Sequence, residues 1–220
     1  KSFNGLIKER IKNINPNINL EINDVFLKLN FTDRSIELNT KNPILNFDKQ
    51  KLNLSNVNVQ FKIRDYFSDN EFIPSIKLST KKIPINSLID FYNSYDFNLK
   101  RALILNQIKD GEIILNLNID EDKINNKLRY QITGNLFDAN INILNKYNFQ
   151  KLNLIFKIVN DKIFLNDLNF NFQNNDFYSE KIDVSLRNSN YNVEGNLNSK
   201  RGKIFIKDIE NLTRTNLNYI

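Results

Sequence analysis

Between Glu112 and Asp120 the chain reads Glu112-Ile113-Ile114-Leu115-Asn116-Leu117-Asn118-Ile119-Asp120. Ile113, Leu115, Leu117 and Ile119 fall on every second position, with amides between the last three. A period of two belongs to a strand with one dry and one wet face, because successive β side chains point to opposite sides.

The same pattern recurs in both directions. Upstream, Ile18, Leu20 and Ile22 alternate with Asn19 and Glu21, followed by Val25, Leu27, Leu29 and Phe31. Leu52 and Leu54 precede Val57, Val59, Phe61 and Ile63, whose partners are Asn58, Gln60 and Lys62. Downstream, a polar turn at Asp120, Glu121 and Asp122 leads to Leu128, Tyr130 and Ile132, and then to Phe137, Ala139, Ile141 and Ile143. Next come Leu152, Leu154, Phe156 and Ile158, then Ile163, Leu165, Leu168, Phe170 and Phe172. Ile182, Val184 and Leu186, then Tyr191, Val193 and Leu197, then Ile204 and Ile206 complete the series. About twelve short strands with polar turns predict an antiparallel meander. No helical crossover separates the strands after Gly111, which excludes a parallel α/β sheet there.

Two segments break the alternation. Phe3, Leu6, Ile7, Ile11 and Ile14 repeat at helical spacing and stop at Pro16, which predicts an amphipathic helix over 1–16. After Ile83-Pro84-Ile85, the residues Leu88, Ile89, Tyr92 and Tyr95 also repeat at helical spacing, with Asn86 or Ser87 placed to cap the start. A second helical or irregular piece is expected through Leu99, Leu103 and Ile104, ending near Asp110 and Gly111. The expected organisation is a helix over 1–16 and one elongated β-domain over 17–220, with a helical insertion at about 86–108.

Composition narrows the chemistry. The 220 residues are 40% hydrophobic and 25% charged, enough to build a core, and no run of 18 apolar residues is present. There is no Met and the first residue is Lys1, so the sequence reads as a processed product or a piece of a longer chain. With no Cys and no His, thiolate nucleophiles, imidazole bases, zinc ligands and disulfides are all excluded. The net charge of +6 is spread along the chain, with its largest basic run at Lys200, Arg201 and Lys203, and reads as a solvated surface. Asn occurs 42 times, Ile 30 and Lys 23, against two Ala and five Gly, a bias towards A/T-rich codons. That bias accounts for the sequons at Asn30, Asn53 and Asn211, since chance gives about three.

Candidate sites fare poorly. Asp120, Glu121 and Asp122 lack the Gly and the spaced oxygens of a calcium loop, and Asp65, Asp69 and Glu71 beside Tyr66 read likewise as a solvated loop. The Gly residues at 5, 111, 134, 195 and 202 form no phosphate loop. No carboxylate pair for glycoside hydrolysis can be singled out. Phe and Lys fall on opposite faces, which argues against a nucleic-acid surface. Catalytic residues, a metal and a cofactor are therefore not expected.

What remains is the apolar face. Twelve strands at about 4.8 Å make a sheet nearly 60 Å long, and seven-residue strands make it only about 23 Å wide. Such a sheet either splits into a sandwich with a filled core or bends into a trough with exposed apolar lining. Periodicity leaves both open. An outer-membrane barrel would gather aromatic residues at strand ends, yet Phe61, Phe156 and Phe170 stand within strands.

The organisation resembles the AsmA-like family of bridge-type lipid-transport proteins of the Gram-negative envelope. The likeness lies in the segment from Phe3 to Ile14 leading into Ile18–Phe31, in Leu52–Ile63, in Ile83-Pro84-Ile85-Asn86-Ser87-Leu88-Ile89 with its helical break, and in Asp110-Gly111-Glu112-Ile113 with the meander after it. It covers nearly the whole chain as pattern and order; scarcity of Gly and Ala is a departure from it. The resemblance implies a mainly β fold, a long curled antiparallel sheet forming a hydrophobic groove. It implies a non-enzymatic, periplasmic module, anchored to the inner membrane by a helix before Lys1 and carrying phospholipid between the two membranes, alone or with further envelope proteins. The inward residues expected to contact acyl chains are Val57, Val59, Phe61, Ile113, Leu115, Leu117, Leu128, Tyr130, Ile132, Ile141, Ile143, Leu154, Phe156, Ile158, Phe170, Phe172, Val184 and Leu186. The rival expectation is a closed β-sandwich of the envelope, binding or scaffolding without lipid.

Overall fold

Among the described residues the alternating segments form one antiparallel sheet of fourteen strands that does not close on itself. The computed structural model describes residues 17–22, 24–47, 50–66, 75–95, 105–122, 127–143, 146–160, 162–187 and 190–199, together with Gly5, Lys8 and Lys12. Those last three are helical. The rest of the helix expected over 1–16, the piece through Leu99 to Ile104 and the strand at Ile204 and Ile206 lie outside the described residues. The strands are β1 Ile18–Glu21, β2 Asp24–Asn30, β3 Ser35–Lys41, β4 Ile44–Phe47, β5 Gln50–Lys62, β6 Ser75–Thr80 and β7 Ile83–Pro84. They continue with β8 Ile108–Asp122, β9 Lys127–Ile143, β10 Tyr147–Val159, β11 Lys162–Phe172, β12 Asn175–Arg187, β13 Asn190–Gly195 and β14 Asn198–Ser199. A single turn, α1 Ile63–Tyr66, follows β5, and α2 Ile85–Tyr95 follows β7.

Register shows a simpler object. β1 and β2 pair with β4 and β3 in one unbroken register, from Ile18↔Phe47 to Asn30↔Ser35. β3 and β4 pair likewise with β5, from Ser35↔Lys62 to Phe47↔Gln50. β6 and β7 lie end to end along β8, and β13 and β14 along β12. Joined this way, the fourteen strands are ten runs whose spatial order is their chain order, an up-and-down meander. The hairpins are tight where the sequence permits: Gln173 and Asn174 both take positive φ (50° and 62°), as a two-residue turn between right-twisted strands requires.

The runs are longer than expected. β9 has 17 residues and so spans about 55 Å, where seven-residue strands would span about 23 Å. The expected turn at Asp120–Asp122 is strand, since β8 continues through Asp122. Leu128–Ile132 and Phe137–Ile143 belong to one strand, and Ser35–Phe47 and Ser75–Thr80 carry strands that the alternation alone did not reveal.

Bulges reconcile these lengths with the apolar pattern. Within most runs the inward positions change phase once, at a pair of consecutive outward residues. In β5 the inward Leu52 and Leu54 give way to Val57, Val59 and Phe61 across Ser55-Asn56. The same happens at Lys41-Asn42, Lys81-Lys82, Phe137-Asp138, Gln150-Lys151, Asn166-Asp167 and Glu180-Lys181. Asn42, Asp138, Lys151 and Asp167 have φ between 48° and 54°, and register shifts mark the bulges on β5, β8, β9 and β10. Each doublet places two consecutive residues on the polar side, after which the alternation resumes one position later and the apolar residues keep their face. A band of such doublets crosses the sheet from β3 to β12. The expected inward Phe137 is corrected by this band: as half of a doublet it faces outward, opposite Glu112, with Lys82 Nζ 4.8 Å from its ring centre.

Asn side chains repair the ladder at the band. The Asp138 N–H donates to Asn153 Oδ1 (3.0 Å), and the Lys151 N–H donates to Asn140 Oδ1 (3.3 Å), a reciprocal pair between β9 and β10. Asn153 Nδ2 donates to the Lys151 carbonyl (2.8 Å) and Asn169 Nδ2 to the Asp167 carbonyl (3.3 Å). Gly111, with φ of 130°, is needed because a Cβ there would lie 2.7 Å from the Cα of Ala139.

Lys151→Gly should raise stability by roughly 0.5–1 kcal/mol, because a β-carbon is disfavoured at positive φ. Urea denaturation measures it, and a loss of stability would refute the strained bulge. Asn153→Val should lower stability by about 1 kcal/mol despite the better strand propensity of Val, because two backbone partners are lost. An unchanged urea midpoint would show that water replaces the amide.

Candidate apolar groove

Cross-strand pairing places side chains on one face in rows, and one row crosses the whole sheet. Val25, Thr40, Val57, Leu78, Leu117, Ile132, Ile158, Ile163, Val184 and Val193 are successive partners, one from each run. Thr40 alone is polar; its hydroxyl donates to the Val57 carbonyl (3.3 Å) and accepts from the Val57 N–H (3.0 Å). A parallel row runs Leu115, Gly134, Phe156, Leu165 and Ile182. Gly134 is required there, since a Cβ would lie 2.6 Å from the Phe156 ring that covers it. The opposite face carries Asn39, Asn58, Lys77, Asn118 and Gln131 in the adjacent row.

Coverage of the apolar face is uneven. Helix α2 lies over β4, β5, β7 and β8, burying Ile85 and Ile89 and setting Phe91 edge-on to Phe47 at 6.3 Å. Under and beside it Leu38, Leu52, Leu54, Val57, Val59 and Ile76 form the main core. From β8 onward the row is half-buried, and it ends at Val193, which is 63% exposed. At the bulge band Ala139, Leu152 and Leu168 form a small second core. Beyond the band stand Tyr147, Phe149, Phe170, Phe172 and Phe177, with Phe149 and Phe172 stacked at 4.8 Å and Phe170 and Phe177 at 5.2 Å.

The residues expected to line a groove separate by burial. Val57, Val59, Phe61 and Ile113 are sealed in the main core, so nothing can touch them without displacing a neighbour. Leu115, Leu117, Ile132, Ile141, Ile143, Leu154, Phe156, Ile158, Phe170, Phe172 and Val184 are half-buried, and Tyr130 is 50% exposed. Leu128 and Leu186 lie on β9 and β12; their side chains are outside the described residues. Leu78, Ile163, Leu165 and Ile182 belong to the same rows and were not singled out from sequence; the signal was their alternation with Lys77, Phe164, Asn166 and Asp183. The α2 residues that cover the face were legible only as a helix.

The acidic residue Asp120, near the end of β8, has a partner on β9. Asp120 is held by Arg129 opposite, Nε to Oδ1 at 3.0 Å and Nη2 to Oδ2 at 2.8 Å. The Arg129 hydrogen bond, the main cause, lowers the Asp120 pKa below its ordinary value, with partial desolvation acting the other way. Among the described residues no three His, Cys, Asp or Glu come together to hold a metal, and no helix is long and apolar enough to cross a membrane. No protein-family model matches the chain, and neither does any curated protein or solved structure.

A carboxylate whose folded pKa is depressed contributes stability above its unfolded pKa and loses it as pH falls through the folded value. Asp120→Asn should therefore cost at most about 1 kcal/mol near neutral pH, the pair being partly solvated. The gap to the unsubstituted chain should close in strong acid. Urea midpoints at the two extremes measure it, and a difference independent of pH would exclude the ion pair as its source.

Proposed function

We propose that the chain is a non-enzymatic lipid-binding module whose apolar inner face takes up phospholipid acyl chains. The observation that carries the reading is the row through all ten runs, apolar but for Thr40 and half-buried from β8 onward, on a face that α2 covers only over β4, β5, β7 and β8. Each methylene laid against such a wall contributes about 0.8 kcal/mol, so ten contribute about 8 kcal/mol before the cost of ordering the chain. A row of Leu, Ile and Val with no polar side chain from Leu78 to Val193 offers similar free energy at successive positions. An acyl chain can slide along such a lining without a deep minimum. Head groups remain in water at the margin of the sheet.

The proposal extends to place and role: a periplasmic segment of the AsmA-like kind, held at the inner membrane and passing phospholipid towards the outer one. Its chemistry is burial, since the described side chains of the row from Leu78 to Val193 are all aliphatic.

Native mass spectrometry of detergent-free protein, with extraction and identification of what co-purifies, tests the reading. Stoichiometric phospholipid is expected. Leu117→Asp and Phe156→Asp should each cut loading by about tenfold while the circular dichroism of the sheet persists, because a carboxylate in the lining must be desolvated. Loading that survives both substitutions would remove the trough as its site. A lipid-free, compact monomer would favour the closed binding or scaffold domain.

A further inference from the structure

The first run presents an edge whose sequence is complementary to itself. Among the described residues β2 pairs with β3 alone, and its side chains are open: Phe26 is 49% exposed, Leu27 43% and Leu29 44%. Edge strands of soluble proteins are commonly blunted by Pro, by a charge turned inward or by shortness. β2 has no Pro and runs for seven residues, with Val25, Leu27 and Leu29 on the apolar face and both of its charges, Asp24 and Lys28, on the polar one. Those charges stand two residues to either side of Phe26.

We propose that β2 is a self-association edge, at which a second copy of this chain adds antiparallel with its Phe26 opposite Phe26. In that register Asp24 lies directly across from Lys28 of the second copy, and the two-fold axis repeats the pair. Val25 meets Leu27 twice on the apolar side. Opposite charges directly across an antiparallel ladder attract and like charges repel, so the sequence itself selects the register. Shifting the centre to Leu27 would set Lys28 against Phe26 and Asp24 against Asn30, which matches no charge. The far edge has no such symmetry: β13 centred on Asn192 would oppose Glu194 to Asn190.

Groups already on β2 suit the arrangement. Lys41 Nζ stands 4.9 Å from the Phe26 ring centre, and Lys28 lies 4.0 Å from Glu37, so each side chain is steered by β3 without being enclosed. The axis is perpendicular to the sheet and the contact isologous, so both apolar faces lie on the same side and two sheets of ten runs become one of twenty. The association is independent of lipid.

Sedimentation of the full chain over a concentration series should show a monomer–dimer equilibrium. Asp24→Lys should weaken dimerisation by about tenfold, since two attractive pairs become repulsive. The swap Asp24→Lys with Lys28→Asp should restore it, a result that general damage to the strand cannot give. In a chain with no native Cys, Phe26→Cys should yield a disulfide-linked dimer on mild oxidation, whereas Val193→Cys at the far edge should not. A monomer at every concentration, indifference to Asp24→Lys, failure of the swap to rescue, or equal cross-linking from both edges would each overturn the proposal.

Discussion

A β-strand must show alternate side chains to alternate faces, and this sheet depends on the devices that let long, bulged strands obey that rule. An unbulged run of 13 to 17 residues with one apolar face would make a long, nearly straight ribbon. The chain instead inserts a polar doublet into most of its runs and resumes the alternation one position later. The apolar side chains thereby stay on one side of the sheet and the polar ones on the other. The main core under α2, the second core at Ala139, Leu152 and Leu168 and the open rows beyond all follow from where those doublets fall.

The abundance of Asn takes on a structural meaning in this light. Asn is a poor strand residue because its amide competes for backbone partners. At a bulge that competition is an asset, because the ladder is broken and backbone groups need satisfying. Asn140, Asn153 and Asn169 supply those bonds from the next strand or from two residues along. Codon bias accounts for how much Asn the chain carries; the bulge band accounts for why it is tolerated within strands.

Fold class was legible in the sequence because alternation is a local property: Ile113 to Ile119 or Leu152 to Ile158 can be read without neighbours. Strand number was harder. A phase change such as Leu54 to Val57 or Leu165 to Leu168 looks like the end of one strand and the start of another, and only pairing with a continuous partner shows it to be a bulge. Phe137 was misplaced for the same reason, since its apolar character suggested the inner face while its place in a doublet put it outside. The candidate lining was legible as a face but not as a surface. Val57 and Leu117 share a row and a chemistry, yet one is buried and the other half-buried. Open or closed is a property of what lies above a strand, on which periodicity within the strand is silent.

The doublets also define how this gene can change. Losing one codon from Gln150-Lys151 would leave the alternation regular from Tyr147 to Leu154, so the apolar side chains would keep their face, but β10 would lose the extra residue that matches the bulges of β9 and β11 and the backbone bonds that Asn140 and Asn153 make there. The same loss in a hairpin tip would leave every row intact. Single-codon insertions and deletions should thus accumulate at turns such as Gln173-Asn174 and be purged from the band. Amino-acid replacements there are free to vary among polar types, so a lineage would preserve the spacing of its polar doublets long after their identities had drifted.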